Sequence, residues 1–142
     1  MIIKKIKLEN FTVFENQQIE FDPGINVFIG ENGTGKTHIL KVLYSACQSV
    51  DKKVSFPHKL VLTMLPDDYK ISRLLTRKPG NRNGIIRITA GEPKRVSEKV
   101  LKASFNGKTK KWEADVTGED GWEESFSGMS SIFIPAKEIL SH

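Results

Sequence analysis

The chain has 142 residues, 38% of them apolar and 27% charged, a balance that suits one compact domain and excludes disorder as the default reading. Its net charge of +5 is unevenly spread: thirteen Lys and Arg stand against two acids, Glu92 and Glu98, between Lys70 and Lys111, while acids outnumber bases elsewhere. One cysteine, Cys47, excludes an internal disulfide, no Cys/His cluster has zinc-ligand spacing, and no N-terminal apolar stretch is long enough for a signal peptide or membrane span, so a cytoplasmic location with no membrane partner is expected.

Along the chain, Ile3, Ile6 and Leu8 alternate with lysines in MIIKKIKLENF, the period of a half-buried strand, and QQIEF (Gln17 to Phe21) repeats the pattern. NFTVFEN between them supplies a turn, giving a hairpin-like pair. After Asp22-Pro23-Gly24, INVFIG is a nearly continuous apolar run, expected as a strand buried on both faces. Ile39, Leu40, Leu43, Ala46, Cys47 and Val50 then recur at three- and four-residue intervals, which predicts a helix from Lys36 to about Val50 with Cys47 as a small core residue. KLVLTML suits strand or helix. DDYKISRLLTRK, following Pro66, predicts a helix with Ile71, Leu74 and Leu75 on one side, and PGNRNG is a turn-rich connector. GIIRITAG, VLKASFNG and KKWEADVTG predict a small antiparallel sheet with a hairpin turn at FNGKTKK. SSIFIP predicts a last buried strand, and Pro135 opens a helix containing AKEIL.

Between the apolar run and the first helix lies FIGENGTGKT. Gly30, four residues, Gly35, Lys36 and Thr37 satisfy the phosphate-loop pattern G-x-x-x-x-G-K-[ST] at every fixed position, with a strand before and a helix after. In such a loop the N–H groups of Gly30, Glu31, Asn32, Gly33, Thr34 and Gly35 curl inward, and the helix start adds those of Lys36, Thr37 and His38. Glycines let a polyphosphate approach closely, Lys36 reaches the β- and γ-phosphates, and Thr37 offers its hydroxyl to Mg²⁺. The bland alternative is a glycine-rich turn that only joins strand to helix. ATP and Mg²⁺ are the expected ligands, Thr37 the expected metal contact, and no catalytic residue is identified. No N-K-x-D loop for guanine is present, and DVTG (Asp115 to Gly118) matches a D-x-x-G switch by letters only. A small-molecule kinase shares the loop, but no lid-like arginine cluster can be assigned.

IKKIKLENFTVFENQQIEFDPGINVFIGENGTGKTHILKVL resembles the start of SMC-like ABC-type ATPase heads, a group that includes the RecF-like and OLD-family ATPases. Those heads share a first strand ending in Asn-Phe, here Asn10-Phe11, a Pro-Gly turn before the phosphate-loop strand, and an Asn-Gly pair, here Asn32-Gly33. IFIPAKEIL is similar to a strand-to-helix segment of OLD-like ATPases. The resemblance implies an α/β P-loop NTPase, one lobe over residues 1–142, built as a partial ABC-type head with a mixed sheet, one long phosphate-loop helix and a small antiparallel β-subdomain. It places the Asn10 to Phe14 turn near adenine and ribose. Many such heads have Arg or Lys after Asn-Phe, where this chain has Thr12.

Hydrolysis in these families uses an apolar strand ending in Asp-Glu, a partner's signature loop and a switch histidine, and none of the three is found. Pro66 interrupts LVLTMLPDD, so Asp67 and Asp68 read as a helix start. Little or no turnover by this chain alone is therefore expected, whereas the intact family head is an ATPase. A half-head leaves strand edges open, so a homodimer or higher self-association is expected. The basic stretch from Lys70 to Lys111 is either a solvated face that partly neutralises the acids at Glu113 to Glu124 or a contact for DNA. A nucleic-acid-binding module using that stretch, and a nucleotide-binding subunit of a transporter, remain the alternative functions.

Overall fold

A computed structural model describes residues 1–31, 33–49 and 54–134. Strands β1 (Ile2–Phe11) and β2 (Phe14–Glu20) form the expected hairpin, followed by helices α1 (Lys36–Gln48) and α2 (Phe56–Met64). Then come β3 (Asn83–Gly91), β4 (Glu98–Asn106), β5 (Asp115–Thr117) and helix α3 (Glu119–Phe126). The five strands make one sheet in the order β2-β1-β3-β4-β5, each pair antiparallel. β3 to β5 thus extend the N-terminal hairpin instead of standing apart as a subdomain.

Alternation in the sequence sets which face is buried. Ile6, Ile88 and Leu101 stand opposite one another across three strands, as do Leu8, Ile86 and Ala103, and all six are fully buried. Removing such an Ile or Leu side chain from water contributes about 1.5–3 kcal/mol. α1 supplies Ile39, Val42 and Ala46 to this core, and α2 supplies Phe56, Leu60 and Val61. Gly84, opposite Phe105, has no room for a side chain: a Cβ there would lie 2.7 Å from the Phe105 ring and 2.9 Å from Leu75. α3 closes the core with Trp122 and Phe126, whose rings lie 4.6 Å apart, and the Trp122 indole donates to the Ala46 carbonyl at 2.9 Å.

Three further expectations are corrected. The sheet is antiparallel rather than mixed among the described residues, because neither INVFIG nor SSIFIP is a strand there. Ile25, Val27 and Ile29 are 92%, 75% and 93% exposed, and Ile132 and Ile134 are also open to solvent. A central parallel strand is stable only with neighbours on both edges and cover on both faces, and the described residues provide neither. DDYKISRLLTRK makes two short 3₁₀ turns, Asp67–Tyr69 and Ile71–Leu74, because Leu65, Asp68 and Tyr69 all have positive φ and interrupt a helix. The acidic run after Gly118, for which the residue pattern predicts no element, is helical, with Glu119 and Asp120 in the first turn where the helix dipole favours them. Cys47 is half-buried instead of lying in the core, and its burial pushes the thiol pKa up. Val50 and the AKEIL segment lie outside the described residues. No described helix is long and apolar enough to cross a membrane.

Candidate functional site

α1 begins immediately behind the glycine loop. Gly35 is its N-cap in the left-handed region, with φ 92°, and Gly33 shares that region with φ 84°. No side chain caps the helix, no acid lies in its first turn, and the first backbone bond into it runs from Ile39 N–H to the Gly35 carbonyl at 3.1 Å. The positive end of a 13-residue helix therefore faces the loop without an internal anion.

The loop is closed upon itself. The Lys36 ammonium donates to the Gly30 carbonyl, and the Thr34 hydroxyl donates to the Glu31 carbonyl at 2.7 Å. Gly30, Glu31, Gly33 and Thr34 are exposed, and so is Thr37 on the first turn of α1. Asn32 lies outside the described residues. His38 turns inward: its Nδ1 is buried with no hydrogen-bond partner, and desolvation, followed by the Lys41 charge, lowers its pKa from the ordinary histidine value.

The β1–β2 turn leans on this loop. A Cβ at Gly35 would lie 2.7 Å from Val13 Cγ2 and still closer to the Phe14 ring, so glycine is required by contact as well as by φ. The turn is pinned from behind by residues 74–78. Thr12 N–H donates to Leu74 at 2.7 Å, Thr76 N–H to Asn10 at 3.0 Å, the Thr76 hydroxyl to Phe14 at 3.2 Å, and Lys78 pairs with Glu15. Asn10, at φ 49°, also donates its side-chain amide to the Asn83 carbonyl at 3.0 Å.

Of the residues read from the sequence, the structure brings Gly30, Glu31, Gly33, Thr34, Gly35, Lys36, Thr37 and His38 together at one helix start. Asn10 and Phe11 stand behind the turn: Phe11 is fully buried and bridges to Leu75. Val13 and Phe14 touch the loop instead. Both belong to the Asn10 to Phe14 turn that the resemblance sets near adenine and ribose, and nothing in the residue spacing singles them out within it. Among the described residues no group of three or more His, Cys, Asp and Glu could hold a metal ion. The exposed Thr37 hydroxyl fits Mg²⁺ only alongside oxygens supplied by a bound phosphate.

A family model described as an AAA domain matches residues 5–140. The DNA replication and repair protein RecF of Phocaeicola vulgatus is 41% identical over 56 residues, 38% of this chain and 15% of that protein. RecF of Streptococcus agalactiae is 32% identical over 83 residues, 58% of this chain and 22% of its own. The chain thus spans less than a quarter of the length of either relative. Among solved structures, one from work on ATP-driven dimerization and DNA stimulated activation of SMC ATPases superposes with a TM-score of 0.57 at 18% identity, over 86% of this chain and 75% of the other. At that identity the likeness is one of fold.

Proposed function

The chain belongs to the AAA domain family, and from that premise we propose that it is the ATP-binding lobe of an SMC-like or RecF-like ATPase. The observation that carries this is the arrangement of Gly35, Lys36 and Thr37 at the head of an uncapped helix, behind a glycine loop across which the Lys36 ammonium reaches the Gly30 carbonyl. On binding, Lys36 exchanges the Gly30 carbonyl for phosphate oxygens, a charge-assisted interaction stronger than the one it leaves. The helix start stabilises the same charge. Thr37 would hold Mg²⁺, which when bound neutralises phosphate charge. Val13 and Phe14 bound the loop on the side of the β1–β2 turn.

Turnover by this chain alone is low in this reading. Phosphoryl transfer needs groups that orient water and cations that neutralise developing negative charge, and no group of three or more His, Cys, Asp and Glu that could hold a metal ion is found among the described residues. In this reading a second copy supplies those groups. The exposed apolar residues Ile25, Val27, Ile29, Ile132 and Ile134 favour association of this kind, as apolar surface left open to a partner. The RecF name of the relatives supports DNA as the object of the ATP-driven step.

Thermal unfolding with and without Mg²⁺ and ATP tests the binding claim. Ligand at one hundred times its dissociation constant adds about 2.7 kcal/mol of stability. A melting temperature indifferent to ATP would remove the reading.

A further inference from the structure

The phosphate loop leaves the basic stretch unexplained, and the fold gathers part of it into one place. Two cavities of about 520 and 380 Å³ lie side by side and share Asn81, Arg82 and Gly107. Arg73, Arg77 and Lys78 line the first, whose one acidic lining residue is Asp67; Lys108 lines the second, which has no acid. Lys78 is answered by Glu15 and Arg73 by Asp68 at 3.9 Å, the latter an exposed pair easily given up. Arg77, Arg82 and Lys108 have no ion-pair partner among the described residues.

Arg82 stands between the cavities. Its Nη2 donates to the Pro79 carbonyl at 3.3 Å, while its Nε is buried with no acceptor. A guanidinium presents donors in a planar fork that matches phosphate oxygens, and the 3.3 Å bond to Pro79 engages only one of the two Nη groups of this one. Five cations along two contiguous concavities suit a row of anions better than a single one, and a nucleic-acid strand carries a phosphate about every 3.4 Å of helix axis. Neither cavity is lined by an aromatic ring, so bases find no stacking platform.

We propose that this double cavity seats successive phosphates of a DNA strand, with Arg82 as the residue shared between its halves. The proposal rests on the reading of the chain as a lobe of a DNA-directed ATPase and assigns the surface that such a lobe would present. Binding there is independent of base sequence and strongly salt-dependent.

The test is fluorescence anisotropy of a labelled random-sequence duplex with the intact protein, at several salt concentrations. Arg77→Ala/Arg82→Ala is expected to weaken binding at least tenfold at low salt and to reduce the slope of log K against log salt by about two, near 0.9 for each phosphate no longer neutralised. Arg77→Lys/Arg82→Lys, which keeps the charge, recovers most of that affinity. Should the double alanine variant not fold, Lys108→Glu on the exposed β4–β5 turn reads the same site, with an expected loss of about fivefold. Unchanged DNA affinity in these variants, no DNA binding by the wild type, or tripolyphosphate competing as well as DNA at equal phosphate concentration would each overturn the proposal. The ATP-dependent melting shift, measured on the same samples, separates the two readings: its loss in the wild type with DNA results intact would sink the nucleotide reading alone.

Discussion

Substituting Gly35 by alanine challenges the site at two points that can be measured separately. The residue sits at φ 92°, where an L side chain costs about 1–2 kcal/mol. Its new methyl would also press on Val13 Cγ2 at 2.7 Å and on the Phe14 ring, overpacking of the kind that costs about 1–3 kcal/mol. Together these give a loss of about 2–5 kcal/mol, read as a fall in urea midpoint at constant slope. In a Phe14→Ala background the ring is gone and only the backbone cost plus the clash with Val13 remains. The double variant should therefore be less destabilised than the sum of the singles by about 1 kcal/mol or more. Strict additivity would refute the claim that the β1–β2 turn rests on the phosphate loop.

Gly84→Ala should cost about 1–3 kcal/mol by forcing the Phe105 ring and Leu75 aside, and Phe105→Leu should restore part of it in a denaturant titration. Trp122→Phe removes the indole donor to the Ala46 carbonyl, which the Ser49 hydroxyl still serves at 2.8 Å, and leaves a void at a buried site, so α3 should loosen from α1 at a cost of about 1–3 kcal/mol, visible as faster amide exchange in α3. His38 has a lowered folded pKa, so the unfolded chain takes up its proton first as pH falls through the ordinary histidine range. Stability should decline from neutral pH downward through that window, and His38→Gln should flatten the decline in melting temperature.

What was legible followed from period and spacing. Ile39, Leu43 and Ala46 announced α1, and the alternation of Ile6 and Leu8, of Ile86 and Ile88, and of Leu101 and Ala103 announced three central strands. The glycine spacing located the loop because a fixed backbone path demands those residues at those positions. Apolar runs record that burial is needed without saying which segment provides it, so Ile25 to Ile29 and Ile132 to Ile134 read as strands yet find no neighbour among the described residues. Positive φ at Leu65, Asp68 and Tyr69 left no mark that distinguishes 3₁₀ turns from a helix. Phe11 shows the same limit more finely. Asn10 at φ 49° shifts the alternation by one residue, so Phe11 rejoins the core face of Ile6 and Leu8, and Val13 and Phe14 take the place beside the loop. α3 carried a usable signal, Trp122 and Phe126 four residues apart on one helical face, set among an excess of acids that masks it.

Isothermal calorimetry of Mg²⁺ and ATP against the wild type and Lys36→Ala bears most directly on the chain's role as a nucleotide-binding lobe. Saturable one-to-one heat from the wild type is expected, with affinity at least tenfold weaker once the ammonium is removed, or about 1.4 kcal/mol. Folded wild-type protein that takes up no ATP, or a Lys36→Ala variant that binds it equally well, would contradict that role.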